Sequence, residues 1–301
     1  MDCSDHEVNI KILLDASVAR EDMTRKQRNE LLESMTDDVA ELVLGNNYRQ
    51  TQAISIAERE ARSRADEYRR LIGALEESGR LDRSLEFLPS DEVLAERRVQ
   101  GQSLTRPELA ILLSYSKAVL KEELIDSDLG SDTSLSAAVA TAFPRRLVEN
   151  YGEDIEEHRL RREILCTQVA NDIVNRMGLN FVLRQQKASG VPPADVARAY
   201  TAVMTIFDLE ANWESIESLD FSVAAEVQLD MMLDLIRLVK RATRWLLRNR
   251  RHHLRPAVSI DEFADGVHVL LAALPELLRG RAAEGFAGLR DRYIKAGVQE
   301  T

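Results

Sequence analysis

The stretch SVAAEVQLDMMLDLIRLVKRATRWLLR, Ser222 to Arg248, decides the fold class. Leu229, Met232, Leu233, Ile236, Val239, Thr243, Leu246 and Leu247 recur at steps of three and four residues, which puts them on one broad face of a helix. A stripe that wide has to be covered by neighbours, so this helix belongs to a bundle and not to an extended rod. The same spacing runs through most of the chain, while alternating β-branched runs, which announce half-buried strands, are missing. The expectation is an all-α fold, a multi-helix bundle with one long N-terminal helical arm.

Working back from Ser222, the pattern predicts helices over 195–209, 181–187, 160–177 and 135–143, the first of these introduced by Gly190, Pro192 and Pro193. Asp126 to Ser134, rich in Asp, Ser and Gly, reads as a surface loop and the best internal boundary. Thr105, Pro107 and Glu108 open a helix as a capping box with proline in the first turn. Ser90 starts a shorter helix that Gly101 ends, and Gly79 closes the arm that precedes it. Within that arm Ile54, Ala61, Tyr68 and Leu75 are spaced by sevens, with Ala57 and Leu71 between, so the seam, which Arg64 interrupts, suits a helical hairpin or a two-helix contact. Thr24 can cap a second helix and Ser4 or Asp5 a first. Two or three further helices follow Arg248.

Composition bounds the function. The 301 residues are 45% hydrophobic, enough to bury a real core, and 51 acidic against 40 basic side chains give a formal charge of -11. Such a surface repels polyanions, so no nucleic acid is expected as partner. Cys3 and Cys166 are too few for a disulfide framework and lack zinc-ligand spacing, which fits a reducing, cytoplasmic setting. The most apolar run, Val267 to Leu278, contains Pro275 and falls short of the roughly 20 residues a bilayer-spanning helix needs, so no membrane is expected either. A chain that enters helix so soon after Met1 looks cut from a longer one.

No dinucleotide glycine fingerprint, phosphate loop, zinc-protease helix or serine-nucleophile elbow occurs. His6-Glu7 and His252-His253 are not at ligand spacing, so metal ligands are expected to be none. Cys166 sits between Leu165 and Val169 and reads as a buried, inert thiol. Trp213 and Trp245 read as core or interface packing, and the acidic block Glu153 to Glu157 as a solvated face. The densest positive segment holds Lys240, Arg241, Arg244, Arg248, Arg250, Arg251 and Arg255 around Trp245. Arg241, Arg244, Arg248 and Arg251 form a candidate anion- or partner-binding face, against the plainer reading that cations gather at a helix C-terminus because its dipole favours them.

Four strings then carry a resemblance: DCSDHEVNIK at 2–11, LTRPELAILLSYSK at 104–117, LRREIL at 160–165 leading into ANDIVNRMG at 170–178, and RATRWLLR at 241–248. In this order they resemble the C-terminal region of the large bacterial NAD-specific glutamate dehydrogenases. That resemblance implies a longer parent enzyme with regulatory-type N-terminal domains and a catalytic core that oxidises glutamate to 2-oxoglutarate and ammonia with NAD. It implies that residues 1–78 are closing helices of that core, with Thr24 to Leu44 similar to its returning helices, and that 79–301 form a C-terminal helical bundle. Shorter enzymes of the family carry a Val-Ser-x-x-Glu string whose serine helps bind the substrate's distal carboxylate. Cys3-Ser4-Asp5-His6-Glu7 matches it apart from Cys3, which makes Ser4 the implied substrate-binding residue, beside the alternative that Ser4 is an N-cap.

The family's catalytic lysines, catalytic aspartate and dinucleotide glycines would all lie before Met1. The expected catalytic and cofactor-binding residues here are therefore none, with NAD bound by the parent. The implied role is a non-catalytic scaffold that contacts the upstream catalytic domain and joins subunits in a homo-oligomer. The alternative is a stand-alone interaction or regulatory protein that uses the Arg-rich face.

Overall fold

A computed structural model describes residues 2–250 and 254–299, with the side chains of 2–4 left out. Sixteen α-helices and two short 3-10 turns occur among the described residues, with no strand, as the periodicity requires. The chain divides into two compact units, Met1–Leu183 and Arg184–Thr301.

The first unit contains α1 (Asp2–Ala19), α2 (Arg25–Ser34), α3 (Thr36–Ala61), α4 (Ala65–Glu77), α5 (Asp91–Val99) and α6 (Arg106–Ile125). Short α7 (Ser136–Ala140), α8 (Arg145–Asn150) and α9 (Gly152–Glu156) follow, then α10 (Arg161–Met177). The hub is α10, which packs on α6, α3 and α7. Leu165, Cys166, Ala170 and Ile173 on α10 and Leu109, Leu112, Leu120 and Leu124 on α6 are all buried, and the two helices pack closely together.

The helix starts follow from local chemistry. The Gln27 amide donates to the Thr24 hydroxyl at 3.2 Å while the Gln27 side chain accepts from the Thr24 amide at 2.9 Å, satisfying two amides that have no partner within α2. Ser90 accepts from the Val93 amide at 3.3 Å ahead of α5, and the Glu108 carboxylate accepts from the Thr105 amide at 2.7 Å ahead of α6. Gly79 and Gly101, at φ +69° and +70°, take the left-handed conformation that ends α4 and α5 and that a side chain would oppose.

The N-terminal arm is two helices, not one. The chain breaks at residues 62–64, where Arg64 would otherwise carry its charge into the apolar seam, and the guanidinium instead pairs with Glu60 and with Glu67. Ala57, Ala61, Tyr68, Leu71 and Leu75 are buried as the seven-residue spacing predicts, and the Tyr68 hydroxyl bridges the break by donating to the Ala57 carbonyl at 3.4 Å.

The segment 126–134 is not a boundary. Leu129 and Gly130 are buried there, and Arg162 Nη2 donates to the Ser127 carbonyl at 2.7 Å while its Nε donates to the Ile125 carbonyl at 2.9 Å. Arg161 reaches the Gly130 carbonyl at 3.2 Å. Arginines at the start of α10 thus fix the loop and satisfy carbonyls at the end of α6, where the helix dipole favours a cation. Compactness divides the chain near residue 183, within α11 (Phe181–Ser189).

The second unit contains α12 (Pro193–Ile206), α13 (Leu209–Glu217), α14 (Ala225–Asn249), α15 (Pro256–Leu277) and α16 (Arg281–Lys295). α12 is buried nearly all round, with Ala194, Ala197, Ala199 and Ala202 letting α14 and α15 approach closely. Trp213 is part of this core at 1% exposure. The apolar face read from Ser222 to Arg248 is the buried face of α14: Met232, Leu233, Ile236, Val239, Thr243, Leu246 and Leu247 are all covered. α15 and α16 differ, because Val269, Leu270, Leu271, Leu277, Phe286, Leu289 and Ile294 remain exposed on them. No helix among the described residues is long and apolar enough to cross a membrane.

Candidate functional site

Helix α1 carries the Cys3-Ser4-Asp5-His6-Glu7 string. It runs from Asp2, so Ser4 and Asp5 lie inside the helix and not at a cap ahead of it. The Ser4 side chain lies outside the described residues. The helix that carries it is held by an apolar face and by polar contacts along its length.

Ile10, Leu13 and Leu14 are at most 1% exposed and fasten one face of α1 to the core, in contact with α3 and α2. Polar contacts at three heights then fix its register. Near the start, His6 Nδ1 lies 2.8 Å from the Ala142 carbonyl, which requires the ring to donate from Nδ1. One turn on, His158 Nε2 lies 3.1 Å from the Asn9 carbonyl. At the far end, the Arg20 guanidinium pairs with Asp154 at 2.7 Å. Ala142, Asp154 and His158 all belong to the segment from α7 to the start of α10, so one stretch of chain holds α1 at both ends and between.

His158 is the most constrained of these groups. Its Nδ1 accepts from the Leu160 amide at 3.1 Å, so that nitrogen carries no proton and Nε2 must be the donor to Asn9. The ring is buried and stands edge-on to Phe143, with centroids 5.8 Å apart. Burial lowers its pKa below the usual imidazole value, and the nearby Arg159 acts in the same direction against Glu163 and the Asn9 carbonyl. The neutral form that this double pairing needs is therefore the favoured one.

Sequence reading missed this arrangement. It treated Glu153 to Glu157 as a solvated face, yet Asp154 pairs with Arg20, Glu156 pairs with Arg161 at 2.9 Å, and Ile155 between them is buried. The signal available was Ile155, one apolar residue among acids with an imidazole three positions on.

The Arg-rich face belongs to the second unit. Arg241, Arg244 and Arg248 project from the exposed side of α14 with Trp245, which is 51% exposed, and no carboxylate among the described residues pairs with these three arginines. Arg251 lies outside the described residues. Arg250 is drawn away from the face: it pairs with Glu262 and stands over the Phe263 ring at 5.6 Å, while Trp245 meets the same ring edge-on at 5.5 Å. An aromatic and cationic staple thus ties the end of α14 to α15, leaving three guanidiniums at i, i+3 and i+7.

Cys166 is fully buried, and burial pushes its thiol up to about 11, so it carries no nucleophile at neutral pH. No group of three or more His, Cys, Asp or Glu side chains converges on a metal position among the described residues.

Comparison with known proteins bears on both units. Residues 101–301 match the family model described as glutamate dehydrogenase, C-terminal, and residues 1–57 match that of the bacterial NAD-glutamate dehydrogenase catalytic domain. The chain is 52% identical over 300 residues to the NAD-specific glutamate dehydrogenase of Pseudomonas aeruginosa and 49% identical over 300 residues to that of Halomonas elongata, all of this chain being covered in each case. It is 38% identical over 280 residues, 93% of its length, to the Mycobacterium tuberculosis protein of the same name. The chain spans 18% of the length of the first two relatives and 17% of the third.

Proposed function

Because the chain belongs to the glutamate dehydrogenase C-terminal family, we propose that it is the C-terminal helical part of a cytoplasmic NAD-dependent enzyme that oxidatively deaminates L-glutamate to 2-oxoglutarate. In this reading residues 1–78 complete the catalytic core, with Ser4 contacting the substrate's distal carboxylate, and 79–301 form a helical scaffold that does no chemistry itself. This functional division runs inside the first compact unit, so the closing helices of the core and the start of the scaffold share one hydrophobic interior.

The observation that carries the reading is the succession of two family matches on one chain, catalytic domain over 1–57 and C-terminal region over 101–301. The exposed apolar residues of α15 and α16 support the scaffold role, since a helix as apolar as Val267 to Leu274 gains stability only when a neighbour covers it. The covering surfaces we assign are the upstream catalytic domain and further subunits of a homo-oligomer.

The test compares the full-length enzyme with a version ending at residue 78. Glutamate-dependent NADH formation and mass in solution are expected to fall together. Unchanged assembly and activity would end the scaffold reading, and NADH formation by residues 1–301 in isolation would refute its non-catalytic character.

A second reading rests on Arg241, Arg244 and Arg248, unpaired among the described residues, beside exposed Trp245: this face takes an acidic surface of a partner. Replacing the three arginines by glutamate would weaken assembly or partner binding in a salt-sensitive way if the face is used, and leave both unaltered if it is not.

A further inference from the structure

The polar contacts along α1 come from a segment more than a hundred residues downstream, and they act on the helix that carries Ser4. The substrate role of Ser4 is the reading proposed above, and the role inferred for His158 rests on it.

We propose that His158 is a positioning residue for glutamate binding: by donating from Nε2 to the Asn9 carbonyl, it fixes the rotation and height of α1 and so the place from which Ser4 meets the substrate. Asn9 is five residues from Ser4, about 7.5 Å along a helix axis at 1.5 Å per residue. A rigid helix transmits a displacement at Asn9 to Ser4 almost undiminished.

The contact is unusual in kind. The Asn9 carbonyl lies inside α1, where its ordinary partner is the amide four residues later, so His158 adds a second donor to an oxygen already engaged. The added bond therefore contributes placement of α1 against its neighbour and not formation of the helix. His158 is itself held from two sides, by the Leu160 amide on Nδ1 and by the Phe143 ring. Phe143 follows Ala142, whose carbonyl takes the His6 contact, so the two histidine contacts converge on one corner of the α7 to α8 connection. His6 and Asn9 are three residues apart and share a face of α1, so the corner grips one side of the helix at two successive points. The Arg20–Asp154 pair, at the other end of α1, removes the remaining freedom to pivot.

The geometry also supplies its own control, since the two ring nitrogens do different jobs. Asparagine at 158 places an acceptor where Nδ1 stands and keeps the Leu160 contact, but does not reach Asn9. Glutamine places an amide donor where Nε2 stands, keeping the reach to Asn9 and losing the Leu160 contact.

In the full-length enzyme, His158→Asn is expected to raise the KM for glutamate about three- to tenfold with the KM for NAD held, and His158→Gln to restore most of that loss. A residue that merely stabilised its own turn would give the reverse order, with asparagine as the better replacement, and that result would overturn the proposal. So would equal changes in the two KM values. Ser4→Ala, measured alongside, separates the two layers. If it raises the KM for glutamate while His158→Asn does not, the positioning role fails and the Ser4 reading stands. If Ser4→Ala leaves that KM unchanged, the Ser4 reading fails and takes the positioning role with it.

Discussion

Glu108 accepts two hydrogen bonds from Arg97, at 2.8 and 3.0 Å, and a third from the Thr105 amide at 2.7 Å, so a single carboxylate closes the start of α6 and ties it to the end of α5. Burial by itself would raise this carboxyl, but the hydrogen bonds from Arg97 and Thr105 outweigh burial and hold it below the usual value of 4.5.

Removing the carboxylate leaves Arg97 only the Ser103 carbonyl at 3.5 Å, and the Thr105 amide unsatisfied. Glu108→Ala is expected to lower unfolding free energy by about 1–3 kcal/mol, and Glu108→Gln by less, because an amide oxygen still accepts from Thr105. The contribution is present above pH 4.5, the ordinary value, and is lost as pH falls through that value toward the lowered folded one. Urea denaturation of wild type and Glu108→Gln from pH 3 to 7 checks this: the two curves should converge at the acid end.

His158 gives a second pH dependence at a higher pH. Its folded pKa lies below the ordinary 6.5, so between the two values the unfolded chain binds a proton that the folded chain refuses. Stability is expected to be complete above pH 6.5 and to decline as pH falls from there to the lowered folded value. His158→Gln should flatten this part of the profile, and an unchanged slope in that variant would assign it to another group.

Gly130 lies under the Arg162 side chain, with an added Cβ falling 2.3 Å from Arg162 Cγ. Gly130→Ala must push Arg162 off the Ile125 and Ser127 carbonyls, and is expected to cost about 1–3 kcal/mol. In an Arg162→Ala background the same substitution should cost much less, a coupling that a double-mutant cycle reads directly.

Cys166 is predicted to react with a thiol reagent only after unfolding. With its pKa pushed up to about 11, roughly one thiol in a thousand is ionised at pH 8, and the side chain is fully buried besides. A Cys3→Ser variant isolates the signal. Labelling at the rate of a free cysteine in native buffer would show that α10 opens readily.

What was legible in the sequence was whatever depends on near neighbours along the chain. The caps at Thr24, Ser90 and Thr105, the helix ends at Gly79 and Gly101, and the buried face of α14 each follow from residues within a few turns of one another. The break at 62–64 was half legible: Arg64 was visibly out of place in the seam, but whether a helix bends, breaks or turns a charge outward depends on Glu60 and Glu67 and on what packs behind. The loop at 126–134 misled because its composition is that of a surface linker, while the arginines that fix it sit about thirty residues later. The grip on α1 was invisible for the same reason at greater range. His158 and Asn9 are 149 residues apart, and no local pattern links them.

The alanines of α12 carry an implication for how this chain tolerates change. Where the alanines of α12 lie buried against its neighbours at close quarters there is no room for a bulkier residue, so an added methyl there forces the packing to shift. In a mutational scan, α12 should stand out as the stretch where even Ala→Val is poorly borne, while on α16 the charged positions away from Phe286, Leu289 and Ile294 should accept most changes. A natural history written by drift would leave its deepest silence at Ala194 to Ala202.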